Sequence, residues 1–150
     1  MSAILELLSL LARLITAGVF LFAAYDKVWD PANFAASMAT YDLLPLWAIN
    51  AASVSLAWLE MVIGLLLLVG LLTRAAALWA CALLVFFIGL MVYAGITGAG
   101  FDCGCFPGGG EAAAHEAGFE TAIRDLVFLA PAAFAALRPG RWLSLGGQPG

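Results

Sequence analysis

The chain has 150 residues, 65% of them hydrophobic and only 11% charged, with ten acids against six bases and a formal net charge of −4. So few charges cannot coat a water-soluble domain of this size, so apolar surface must face lipid, and no nucleic-acid partner is expected. Spans of about 20 residues with short connections use up the length and leave no room for a second domain.

Apolar runs over roughly 4–28, 48–72, 75–97 and 119–137 predict an all-α membrane protein, a four-transmembrane-helix bundle forming one domain over 1–150. Alternating strands of a barrel are nowhere visible. The first run has a signal-peptide alternative, with Arg13 closing a positive region and "FAA" at 22–24 as a cleavage site. Residues 1–12 are already apolar and contain Glu6, the wrong flank for such a signal, so an intact first helix is expected. At its outer end stands "AAYDKVWDP", with Lys27 beside Trp29. Lysines at that depth commonly snorkel to the head groups; pointing inward, Lys27 would instead act on a thiol pKa.

The stretch 26–47 reads as a loop-rich connection. In the second run, "LAWLEMVIGLLLL" puts Glu60 near mid-span, where a carboxylate must face the bundle interior or a wet cavity. The link "LLTRAA" around Arg74 is so short that the second and third runs must be antiparallel neighbours. Cys81, early in the third run, reads as a small apolar core residue, about 30 Å along the helix from the other cysteines.

The connection 98–118, "GAGFDCGCFPGGGEAAAHEAG", carries the chemistry. Its glycines and Pro107 reject helix until about Glu111, where acids suit a helix start. Cys103 and Cys105 flank Gly104, and a disulfide between residues two apart needs a sharp bend that glycine permits. The small ring contributes little to stability and is easily reduced, which suits exchange chemistry more than a structural staple. Asp102 disfavours a thiolate next door, while the helix start near 111 favours one if it folds back over the loop. The same two sulfurs with His115 and Asp102 offer a soft-metal alternative, but they fall short of the four ligands of a structural zinc site, and no metal is predicted. His115 otherwise reads as a solvated loop residue. An inert surface bridge is the third reading.

The fourth run carries Arg124 and Asp125 in its outer part. A Glu60–Arg124 pair is expected, either a registration device between helices or the lining of a polar pocket below the cysteine loop that handles a proton or a quinone head group. Trp47, Tyr41, Tyr93, Trp79 and Trp142 fall near span ends, where aromatic belts form. Residues 139–150 read as an interfacial tail. With both termini inside, Arg13, Arg74, Arg138 and Arg141 fall at cytoplasmic ends, and Lys27 and Arg124 fall toward the outer side. This N-in/C-in arrangement puts Cys103 and Cys105 on the oxidising face, where a disulfide persists.

The segments "AAYDKVWDPANFAASMATYDLLP", "WLEMVIGLLLLVG", "FDCGCF" and "AIRDLVFL" together resemble the methylamine-utilisation MauE family and, more loosely, its DoxX-like relatives. They cover most of the chain in the expected order, and Cys-Gly-Cys-Phe is the most specific element. The resemblance implies a four-helix protein of the bacterial inner membrane, serving redox and disulfide-forming systems beside a periplasmic thioredoxin-like or other dithiol partner. It implies that Cys103 and Cys105 are the redox pair, with Lys27, Glu60 and Arg124 supporting it, and its DoxX-like side implies quinone-linked electron transfer. Pro107 departs from the family pattern, in which Phe runs directly to Gly. The expectation is a thiol-disulfide oxidoreductase component whose electrons pass to the membrane, with Glu60 and Arg124 as a quinone niche. A soft-metal carrier and a noncatalytic assembly subunit remain the alternatives.

Overall fold

The computed structural model describes residues 3–39, 44–97 and 117–138. Cys103, Cys105, Asp102, His115 and Pro107 lie outside the described residues. Among the described residues there are five helices, α1 (Ala3–Trp29), α2 (Pro31–Ala39), α3 (Leu46–Val69), α4 (Thr73–Thr97) and α5 (Ala117–Leu137), and no strand. Of the described stretches, three are long and apolar enough to cross a membrane, Ala3–Trp29, Leu46–Val69 and Thr73–Tyr93. α5 holds Glu120, Arg124 and Asp125 in its first half, and that charge sets its composition apart from the other three.

The four expected runs are all helical, and their outer surfaces are oily. Leu11, Ile15 and Phe22 on α1, Val62, Leu65 and Leu68 on α3, and Leu78, Val85 and Phe86 on α4 are all exposed. In water such continuous apolar faces would drive aggregation; against lipid chains they cost nothing. The core is built from small residues instead. Ala76, Ala77 and Ala80 of α4 meet Ala132, Ala135 and Ala136 of α5, all almost fully buried, so these two backbones approach closely. Pro131 sits inside α5 within this packed face.

The most extensive contacts join α4 to α5 and α1 to α3. α3 and α4 are chain neighbours, as the short link required, yet they touch far less. Their turn is tight: Gly70 takes φ 77°, its N–H donates to the Leu66 carbonyl at 2.9 Å, and Leu72 follows at φ 47°. α1 and α3 close on each other at Gly64, where an added Cβ would lie 2.7 Å from Leu21 Cγ and 3.2 Å from the Leu21 backbone nitrogen. Gly64→Val is therefore expected to destabilise the bundle by about 1–3 kcal/mol by forcing these helices apart. Thermal unfolding in detergent measures it, and an unchanged midpoint would show that the contact is not tight.

The start of α1 lies beside the end of α5, because the Ser9 hydroxyl donates to the Arg138 carbonyl at 2.6 Å. α1 descends as α3 rises, with Leu21 against Gly64 and Lys27 against Glu60. The α3–α4 turn and both outer helix ends therefore share one end of the bundle. α2 and the chain ends flanking segment 98–116 share the other.

α2 corrects the expectation of a loop over 26–47. Asp30 caps it, its carboxylate accepting from the Asn33 N–H at 3.1 Å, and Pro31 occupies the first helical position. Phe34 and Ala35 are its buried residues and face the bundle.

Candidate functional site

Along α1 the buried positions Glu6, Ser9, Arg13, Thr16, Phe20, Ala24 and Lys27 recur every three or four residues, one stripe turned inward. Lys27 is therefore not a snorkelling residue. It is 1% exposed, and its ammonium donates to both Glu60 carboxylate oxygens, at 2.8 and 2.7 Å. The rings of Phe34 on α2 and Phe87 on α4 each stand 5.0 Å from the nitrogen, so two aromatic faces enclose the remaining charge. Glu60 is also 1% exposed, on the α3 stripe of Ile49, Ser53, Ala57, Ile63, Gly64 and Leu67.

The expected Glu60–Arg124 pair is thus corrected: the partner of Glu60 is Lys27. The lysine reaches Glu60 because α1 packs tightly on α3 through Gly64. Arg124 instead donates to its neighbour Asp125 at 3.4 Å, a long and partly exposed contact. Asp125 is buried while Arg124 is about a third exposed. Arg13, expected toward a cytoplasmic end, is 3% exposed on the α1 stripe, inside the bundle.

Lys27, Glu60, Arg124 and Asp125 nonetheless line one half-open pocket with Val19, Phe20, Leu84, Phe87 and Phe128. Its half-exposed lip consists of Val19 and Ala23 on α1 and Arg124 and Phe128 on α5, so the mouth opens sideways between those two helices. The floor is the buried bridge. The enclosed volume is about 30 Å³, room for roughly two waters. The walls of the mouth are apolar, and Arg124 stands among them about a third exposed. Along α5 the pocket lies about 10–12 Å beyond Ala117, and along α4 about 15 Å before Thr97, the two ends between which segment 98–116 runs.

Asp125 is not among the site residues expected from the sequence, because the expected Glu60–Arg124 pair gives it no part. Cys81 is half-buried against the main apolar core, about one helical turn before Leu84 of this pocket. Tyr25 stacks on the exposed Trp29 at 6.0 Å, and Trp47 and Trp79 are also exposed.

Over residues 5–138 the chain matches the family described as "Methylamine utilisation protein MauE". No curated protein and no solved structure matches it.

Proposed function

The chain belongs to the MauE family and is a membrane protein with apolar spanning helices, and from that premise we propose that it exchanges disulfides through Cys103 and Cys105. The substrate is a dithiol protein of the thioredoxin-like class on the outer face of the bacterial inner membrane, and the electrons leave to a quinone. One cysteine forms a mixed disulfide with the partner's sulfur, and the other resolves it. Oxidising the resulting dithiol removes two electrons and two protons, which a quinone accepts to become a quinol. Cys103, Cys105 and Asp102 enter on their sequence alone.

The observation that carries this reading is a pocket with a charged floor and a lateral mouth near the end of the bundle from which the cysteine segment departs. A lipid-soluble acceptor approaches from the side, which matches a mouth between α1 and α5. In this reading Arg124 holds a quinone carbonyl at the mouth, and Glu60 stays behind it, tied to Lys27. In this reading α5 is the fourth span, with Arg124 and Asp125 on the pocket.

The N-in/C-in orientation draws support from where the cations sit. Arg74 and Arg138 are exposed at the end where α1 begins, while Lys27 and Arg124, at the other end, are drawn into the bundle. The exposed positive charge is thus one-sided, which favours that end in the cytoplasm.

Exchange is tested by trapping. Cys103→Ser or Cys105→Ser should accumulate a mixed disulfide with a thioredoxin-like protein, visible on a non-reducing gel and lost on reduction, in one variant and not in the double. If both single variants stay free of adducts and retain activity, the protein is an assembly subunit. One bound equivalent of Cu(I) or Zn(II), lost with either cysteine, would favour the soft-metal alternative.

A further inference from the structure

From the arrangement of charges in the pocket we infer that it is a proton-binding site, in which Asp125 exchanges a proton with the outside and passes it to Glu60, opening and closing the Lys27–Glu60 bridge. This inference rests on the pocket and stands whether or not Cys103 and Cys105 exchange disulfides.

Two carboxylates on different helices share this cavity with one buried ammonium. Glu60, on α3, is 1% exposed and receives both of its described hydrogen bonds from Lys27. Asp125, on α5, is also buried, but its partner Arg124 stands at the mouth, about a third exposed, with a 3.4 Å contact. Asp125 therefore joins the lip to the floor, and its charge is felt by both Glu60 and Lys27. The pocket that both carboxylates line has room for roughly two waters, about 30 Å³, and in this proposal those waters carry the proton between them.

Among the described residues no further acid or base lines the pocket. α2 carries no titratable residue and contributes Phe34; α4 contributes Leu84 and Phe87 at this depth. On α1, Asp26 adjoins Lys27 in sequence, and one of its oxygens is buried without a hydrogen-bond partner among the described residues, but it does not line the pocket. Among the described residues the ionisable groups lining the pocket are then Lys27, Glu60, Arg124 and Asp125.

The transfer balances simply. A proton from bulk water converts the Asp125 carboxylate to the acid; through a bridging water Asp125 returns to carboxylate and Glu60 becomes the acid. Lys27 keeps its three protons throughout. A neutral Glu60 no longer holds the ammonium as an ion pair, while the Phe34 and Phe87 rings still stand beside it. Because Phe34 belongs to α2, that helix is the element most directly coupled to the proton.

Infrared difference spectroscopy of the full chain in lipid nanodiscs, stepped in pH, tests this. A carboxylic-acid carbonyl band should rise as pH falls and be absent in Glu60→Gln. In Asp125→Asn the band should still form but on the order of a hundredfold more slowly after a pH jump, the lower end of what a positioned proton carrier contributes. Asp125→Glu should recover most of the rate, which a merely structural role would not require. Circular dichroism separates misfolded variants, and if Asp125→Asn misfolds, the Asp125→Glu rate and the wild-type band decide. No pH-dependent band in wild type, a band that survives in Glu60→Gln, or equal rates in wild type and Asp125→Asn would overturn the inference.

Discussion

Lys27→Met is expected to destabilise the protein by about 3–5 kcal/mol, among the largest losses available to a single substitution in this chain. The reason is what remains. Glu60 is 1% exposed and its carboxylate accepts from Lys27 at 2.7 and 2.8 Å, so removing the lysine strands a charge in an apolar bundle. Glu60→Met strands the ammonium in turn, although the Phe34 and Phe87 rings at 5.0 Å soften that loss. Replacing both by methionine should recover most of the stability, because paired removal leaves no orphan charge. Denaturant unfolding in mild detergent gives the four corners of the cycle, and the coupling between the sites is the quantity of interest. Additive losses would mean that the bridge is not formed in the bilayer.

Arg124→Met is expected to abolish quinone-dependent reoxidation of the reduced protein while leaving the fold nearly intact. Arg124 is about a third exposed, and its 3.4 Å contact to Asp125 is long, so little stability hangs on that pair. Its value in the proposed mechanism is as a donor at the mouth, where a cation stabilises charge developing on an acceptor oxygen. Losing one such donor lowers turnover on the order of a hundredfold or more. Arg124→Lys should retain part of the activity, since a point charge replaces a planar fork. The readout is quinol formed per reduced protein in nanodiscs, set beside disulfide exchange with a small dithiol, which should not change. Unchanged quinol formation would remove Arg124 and the lateral mouth from electron transfer.

The helices were legible because lipid demands unbroken apolar runs, and such runs announce themselves whatever the packing. What faces inward was harder to read. On α3 and α4 every face is apolar, so polarity marks no side; the small residues Ser53, Ala57 and Gly64, in phase with Glu60, carry the signal. On α1 the phase was available: Arg13, Thr16, Phe20 and Lys27 share a spacing of three, four and seven residues, which turns Lys27 inward with Arg13. Treating both as charges at span ends hid that phase. α2 was missed although Asp30 and Pro31 form an ordinary helix start, because nine residues are too few to register as a periodic run. The Glu60 partner depends on which helices pack most closely, and α3 packs far more extensively on α1 than on α4, which the apolar runs do not reveal. Cys103 and Cys105 rest on composition and spacing alone, since they lie outside the described residues.

Thiol labelling of intact cells with a membrane-impermeant maleimide, before and after reduction, tests the cysteine chemistry most directly. Cys103 and Cys105 should be protected as a disulfide in untreated cells, become labelled together once a mild reductant is added outside, and regain protection when it is washed away. Labelling only after the membrane is permeabilised, or a pair that never oxidises, would contradict a redox-active site on the outer face.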